Sequence, residues 1–334
     1  MAGAGPFRGL NGPLPPSRAI LVQLVASVSG ILSSEPSELR PRDSRGRPGG
    51  LVALPLLPTV LVPDLHARAS FLSAVLEWRP PGLGAPLSNL LAAGEANLVC
   101  LGDLFHSETD SAPQRWAHAY EEYLSGWASH SAMDEEMGLS LAVSCLVLET
   151  KAAYPRHFQC LKGNHDNVAN EEGRGDHPFY KFSAEGEMVA SWFERFYGRE
   201  LLDAYRSVEL ELPVLALGDR FVASHAEPAF ALRREDLIEY RSRPDVVEAL
   251  IWTPNDGAEE GSVERGLSLL LGDRARPGAL WFGGHRPVAG RYALRARGRY
   301  VQFHDPGAWR VAYLLPGRDP DPDRDIVDVP RPTR

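Results

Sequence analysis

The chain is poor in groups that many functions require. Its 334 residues include three cysteines, Cys100, Cys145 and Cys160, each within or beside an apolar run. Such thiols read as buried, reduced side chains of a cytoplasmic protein, and no disulfide framework or Cys-paired zinc spacing is present. No apolar run approaches the ~20 residues of a membrane-spanning helix, so no membrane partner is expected. Residues 19–32 have the length of a secretory apolar segment. Gln23 interrupts them, however, and Leu21, Leu24, Val25, Val28 and Leu32 recur at helical spacing, which reads as an amphipathic helix. A net charge of −9 argues against a nucleic-acid partner held through its phosphate backbone. The glycine-rich pieces at 82–84 and 283–284 lack nucleotide-loop spacing, and there is no internal repeat.

Five short phrases stand out instead: Pro63-Asp64-Leu65-His66, Gly102-Asp103, Gly163-Asn164-His165-Asp166, Ser224-His225-Ala226-Glu227 and Gly283-Gly284-His285. Each ends or follows an apolar run (59–62, 97–101, 157–161, 220–223, 279–282), which predicts buried strands delivering polar side chains at their C-terminal tips. Asp, Asn and His offer oxygen and imidazole nitrogen, a donor set suited to Mn, Fe or Zn. A carboxylate shared between two such ions would hold them ~3.5–4 Å apart around a phosphate and bring a bound water towards a pKa of ~7. Taken singly, each phrase is an ordinary turn or helix cap. Their order and context together point to one metal site.

That order resembles the calcineurin-like metallophosphoesterases, and more finely the PPP-type serine/threonine phosphoprotein phosphatases. Residues 154–165, from Tyr154-Pro155 to Gly163-Asn164-His165, are similar to the family's third motif. Trp252-Thr253-Pro254-Asn255-Asp256 and Glu264-Arg265-Gly266-Leu267-Ser268 are similar to later ones. The resemblance covers roughly residues 19–315. It implies an α/β fold, a four-layered α/β/β/α sandwich with two mixed β-sheets, holding two divalent metal ions. Asp64 and His66 would hold the first metal, Asp103 would bridge, and Asn164, His225 and His285 would hold the second. His165 would be the general acid and Arg265 the phosphate grip. The implied reaction is hydrolysis of phosphate monoesters by a hydroxide held between the metals. Phosphorylated proteins or small phosphoesters would be the substrates.

The departures fall in the second motif. Where the family has Gly-Asp-x-x-Asp-Arg-Gly, this chain has Gly102-Asp103-Leu104-Phe105-His106-Ser107-Glu108, so the carboxylate that orients the catalytic histidine and one phosphate-binding arginine are absent in place. Glu108, Asp166 or Glu227 are the candidate orienting acceptors for His165, and His106 is a candidate contact to phosphate. His285 is followed by Arg286-Pro287, so the second histidine of a Gly-His-x-His ending is missing. His304-Asp305-Pro306 ends the predicted strand 299–303 where the resembling enzymes carry a loop near the metals, and reads as a strand-end turn in preference to such a loop. Two other functions fit the same residues: hydrolysis of a dinucleoside polyphosphate or other nucleotide, and metal binding by a catalytically weak pseudophosphatase.

The domain reading is a disordered N-terminus (1–17), a helix and linker (18–50), the metallophosphoesterase domain (51–315) and a disordered tail (316–334). Between the second and third motifs, Trp116, Tyr120, Tyr123, Leu124 and Trp127 at helical spacing predict core packing in preference to a lid over the site.

Overall fold

The computed structural model describes residues 14–331, so most of the expected disordered N-terminus lies outside the described residues. Eleven strands occur in them: β1 (Leu51–Ala53), β2 (Thr59–Val62), β3 (Asn97–Cys100), β4 (Phe158–Cys160), β5 (Leu215–Leu217), β6 (Phe221–Ser224), β7 (Leu280–Gly283), β8 (Ala293–Arg295), β9 (Tyr300–Gln302), β10 (Arg310–Leu314) and β11 (Ile326–Asp328). They form a six-stranded sheet, β1-β5-β6-β7-β9-β8, and a five-stranded sheet, β11-β10-β2-β3-β4. Both sheets are mixed. Each contains a parallel triplet, β2-β3-β4 in one and β6-β7-β9 in the other.

Alternation along these strands builds the layers. Leu61, Val99 and Leu101 of one sheet meet Ala223, Phe282 and Val301 of the other in a central apolar layer. Their neighbours Val60, Val62, Leu98 and Cys100 face outward into a helical layer, and Val222 and Trp281 face outward on the far side. A side-chain period of two thus sends every second residue of each strand to a different layer. The expected four-layered α/β/β/α sandwich is what the chain forms.

The stripe on residues 19–32 is a helix, α1 (Arg18–Ser34), with Leu21, Val25, Val28 and Leu32 buried. At its end Glu35 lies in a nearly dry ion cluster, 3.0 Å from Arg40 and 2.5 Å from Lys151. The segment between the second and third motifs is α4 (Ala112–Leu124) and α5 (Ser131–Ala153). Of the predicted aromatic stripe, Trp116 and Trp127 are buried as core packing requires, whereas Tyr120 and Leu124 are exposed.

The expected mobile tail is corrected by the structure. Residues 326–328 pair antiparallel with β10 and close that sheet edge. Ile326 is fully buried, and Asp325, 2 % exposed, binds Arg318 and Arg324. Pro and Asp in this stretch serve a one-turn helix, Pro322–Asp325, capped by Asp321, so the lack of periodicity reflected short elements and not disorder. Removing the charge at Glu35 tests how firmly α1 belongs to the domain. Glu35→Gln leaves Arg40 and Lys151 buried without their anion, and urea denaturation should show a loss of roughly 3–5 kcal/mol.

Candidate metal centre

The parallel triplets explain why the five phrases meet. The C-terminal ends of β2, β3 and β4 carry Asp64 and His66, Asp103, and Asn164 and His165. Those of β6 and β7 carry His225 and His285. The third strand of the second triplet, β9, ends at residue 302, and His304 follows it onto the same edge. Six parallel strand ends therefore open on one crevice, the usual place for a ligand in such sheets.

The loops are held in strained but over-determined shapes. His66, Asp103, His106 and His285 have positive φ angles of 40°, 54°, 76° and 64°, conformations that persist only where surrounding bonds enforce them. One enforcing group is Asp166. Its buried carboxylate accepts from the backbone N–H groups of Asp103 (3.0 Å), Leu104 (2.9 Å) and Gly163 (2.8 Å), clasping the second and third motifs together. Gly284 is needed for a different reason: a Cβ there would sit 1.8 Å from Asp64 Oδ1.

Two donor groups result. His225 donates from Nδ1 to the carbonyl of Leu101 (3.0 Å), which leaves Nε2 as a bare lone pair. That nitrogen faces Asn164 Oδ1 at 2.9 Å, His285 Nδ1 at 3.2 Å and Asp103 Oδ2 at 3.4 Å. In the same way His66 uses Nδ1 on the carbonyl of His106 (3.0 Å). Its Nε2 lies 3.5 Å from Asp103 Oδ2, 3.6 Å from Glu108 Oε1 and 3.9 Å from Asp64 Oδ2. His304 adds Nδ1 at 3.9 Å from Asp64 Oδ2. Asp64, His66 and His304 form one set of donors close enough to share a cation, Asp64, Asp103 and His225 form another, and His66, His106 and His165 form a third.

Electrostatics of the free protein favour a cation. Burial pushes His66 down to about 4, and burial also lowers His225 and, together with the nearby His225 ring, His285. All three imidazoles are neutral at pH 7, the form that can bind a cation. Burial raises Asp103 well above the usual carboxylate range, and the charges of Asp64 and Asp166 raise it further. Burial opposes ionisation of Asp64 too, but the surrounding His304, His225 and His66 lower it. Both oxygens of Asp64, Nδ1 of His304 and Nε2 of His285 are buried without a hydrogen-bond partner. Dry acceptors facing dry acceptors are costly unless a positive charge lies between them. The residues present fit two divalent ions, with Asp103 reaching both donor groups.

Not every expected site residue joins this cluster. His165 lies beside it, with ring centroids 5.2 Å from His66 and 4.8 Å from His106. His106, standing where a carboxylate orients the histidine in the resembling family, is itself 3.6 Å from the Glu185 carboxylate and stacked between Trp116 and Phe182. Asp166 is the clasp described above, and Glu227 pairs with Arg295 at 3.2 Å, so neither is seen orienting His165. Glu108 faces His66 and His304 Nε2 (3.4 Å) and pairs with Lys181. Arg265 is turned to its own turn, donating to the Glu260 carbonyl (2.8 Å), and its side chain is 54 % exposed. None of its bonds reaches the donor groups.

The structure favours a loop beside the donors over a plain strand-end turn for His304-Asp305-Pro306, and so offers a histidine where the absent Gly-His-x-His ending offers none. His304 is fully buried among the donors. Its signal was present in the pattern of the other phrases, an apolar run followed by a histidine, but the spacing after His285 was too long to be read as one motif.

No family model matches the chain, and no curated protein matches it by sequence. Among solved structures it is similar to a protein serine/threonine phosphatase from Saccharomyces cerevisiae with similarity to human phosphatase PP5. That match has a TM-score of 0.57 and 14 % identity, covering 93 % of this chain and 89 % of the other. A cold-active protein tyrosine phosphatase (TM-score 0.46, 12 % identity, 86 % of this chain and 78 % of that one) and a putative diadenosine tetraphosphatase (0.40, 15 %, 84 % and 98 %) are more distant in shape. The likeness establishes a shared fold.

The bridging position of Asp103 has a direct test. Asp103→Asn places a neutral amide where a carboxylate would separate two cations. Metal analysis after manganese loading and desalting should show fewer than two ions per chain, against two in the wild type.

Proposed function

We propose that the chain is a metal-dependent phosphoesterase acting on phosphate monoesters. The observation that carries this reading is a pair of buried donor groups that share Asp64, with Asp103 Oδ2 3.5 Å from His66 Nε2 of one and 3.4 Å from His225 Nε2 of the other and the His165 imidazole beside them. Two divalent ions held by Asp64, His66, Asp103 and His304 and by Asp103, Asn164, His225 and His285 would supply Lewis acidity, neutralising phosphate charge and acidifying water.

The protein's own residues would do the rest. The strained, clasped loops fix the donors before substrate arrives, so little reorganisation accompanies the reaction. Asp103 Oδ1 accepts from the backbone N–H of His165 at 2.8 Å, which ties the orientation of that residue to the bridge. Burial and the neighbouring His106 and His66 hold His165 well below its ordinary range in the free site. The dianion of a bound ester would raise it, and the imidazolium would then protonate the departing oxygen. With Arg265 turned away, the family's arginine grip does not support phosphoprotein recognition here; the ester class is taken up below.

Turnover should appear after manganese reconstitution on a panel of alkyl and aryl phosphate monoesters, phosphopeptides and a dinucleoside polyphosphate. Failure on every ester with two ions bound would favour a metal-holding protein without catalysis. Activity confined to the dinucleotide would move the substrate class. In His165→Ala both metals should remain while kcat falls by ~10²–10⁴, less for esters with good leaving groups. An equal loss for alkyl and activated aryl esters would remove His165 from proton transfer.

A further inference from the structure

The chain has three lysines. Two are internal: Lys151 in the Glu35 cluster, and Lys162, 3.2 Å from Asp176. The third, Lys181, has a side chain 40 % exposed and pairs with Glu108. Glu108 in turn lies 3.6 Å from His66 Nε2 and 3.4 Å from His304 Nε2. Among the described residues, Lys181 is the one exposed cation whose ion pair reaches a group touching the metal donors.

Lys181 belongs to a segment held in place and rimmed with aromatic rings. The Glu185 carboxylate accepts from the backbone N–H groups of Lys181 (2.9 Å), Phe182 and Ser183 (3.0 Å), pinning the turn to the helix Glu185–Tyr197. The Lys181 ammonium lies 5.8 Å from the Phe182 ring centroid. That ring stacks on His106 at 5.5 Å and 19°, and Phe179 lies 4.7 Å from His165. Phe182 is 40 % exposed and Tyr180 is 77 % exposed. The side of the centre to which His165 would deliver a proton is therefore walled by flat apolar rings, and its free edge carries the ammonium.

Resting on the phosphoesterase reading, we propose that Lys181 and Phe182 are the substrate-recognition edge of the centre and that its substrates are phosphate esters of planar aromatic alcohols. Lys181 leaves Glu108 to hold a phosphate oxygen, and Phe182 stacks on the aryl group. The ammonium end of this pair is 40 % exposed while Glu108 is nearly buried against His66 and His304, so a phosphate dianion draws Lys181 outward and leaves Glu108 beside the centre. The departing aryl group then lies against Phe182, within reach of His165, while Phe179, buried behind, holds the His165 ring in place.

The test uses phosphonates, which bind without reacting. Isothermal titration of the manganese-loaded full chain compares phenylphosphonate with cyclohexylphosphonate, equal in charge and similar in size but differing in planarity. Wild type should bind the phenyl compound about five- to tenfold more tightly. Phe182→Leu should abolish that preference while leaving cyclohexylphosphonate binding unchanged. Lys181→Met should weaken both by about tenfold or more with manganese content unaltered. Equal affinities in the wild type, or wild-type binding in both variants, would overturn the proposal. Loss of manganese in Lys181→Met would do so as well, because it would make the residue structural. If the expected binding pattern is found but no ester turns over, the recognition edge stands and the hydrolytic reading falls. If esters turn over but the binding pattern is absent, the edge falls alone.

Discussion

Acceptors that face one another without water are the constraint on which the rest of the molecule depends. Asp64 is fully buried with neither carboxylate oxygen hydrogen-bonded, and His225 presents a bare nitrogen to Asn164 and Asp103. Asp64 finds a partner only when a cation enters, so the surrounding structure must hold it against its own preference. The Asp166 clasp, the left-handed loop residues and the absence of a side chain at Gly284 are the parts that do this. They explain why glycine, aspartate and asparagine sit at the strand ends: a tight turn is needed, and a side chain in the wrong place would fill the space between donors.

The architecture supplies what local geometry cannot. Two parallel triplets, one per sheet, bring six strand ends to one edge, and the central apolar layer of Leu61, Val99, Ala223 and Phe282 fixes their separation. The first donor group also draws on His304, from the other sheet, so it spans both sheets. The second joins Asp103 and Asn164 of one sheet to His225 and His285 of the other. A centre built this way forms only when the two sheets are packed, which couples cation affinity to the integrity of the whole sandwich.

The strands and the candidate donors that meet at their ends were legible because each strand is a short apolar run ending in a chemically distinctive phrase. The layers were not visible in the chain itself, since alternation shows that a strand has two buried faces without saying which faces meet; resemblance to a known fold supplied that. His304 was weighed as a loop near the metals but read as a turn, because its partner phrase lies a full strand away and proximity across a sheet leaves no mark in local spacing. The same applies to Lys181 and Glu185, which reach the site only through a turn. Arg265 shows the opposite failure. Its motif is similar in sequence, but the Glu259-Glu260 turn offers a nearer carbonyl and carboxylate, and the guanidinium takes them. Charged tail residues misled for a related reason, because Asp325 is a buried partner for two arginines and not part of a solvated run.

The central claim is that Asp103 joins two cation sites with specified ligands. Anomalous diffraction at the manganese edge from crystals of the manganese-loaded protein tests it most directly. Two peaks are expected, roughly 3.5–4 Å apart, one among Asp64, His66, Asp103 and His304 and the other among Asp103, Asn164, His225 and His285. A single peak, or peaks that do not share Asp103, would contradict the account.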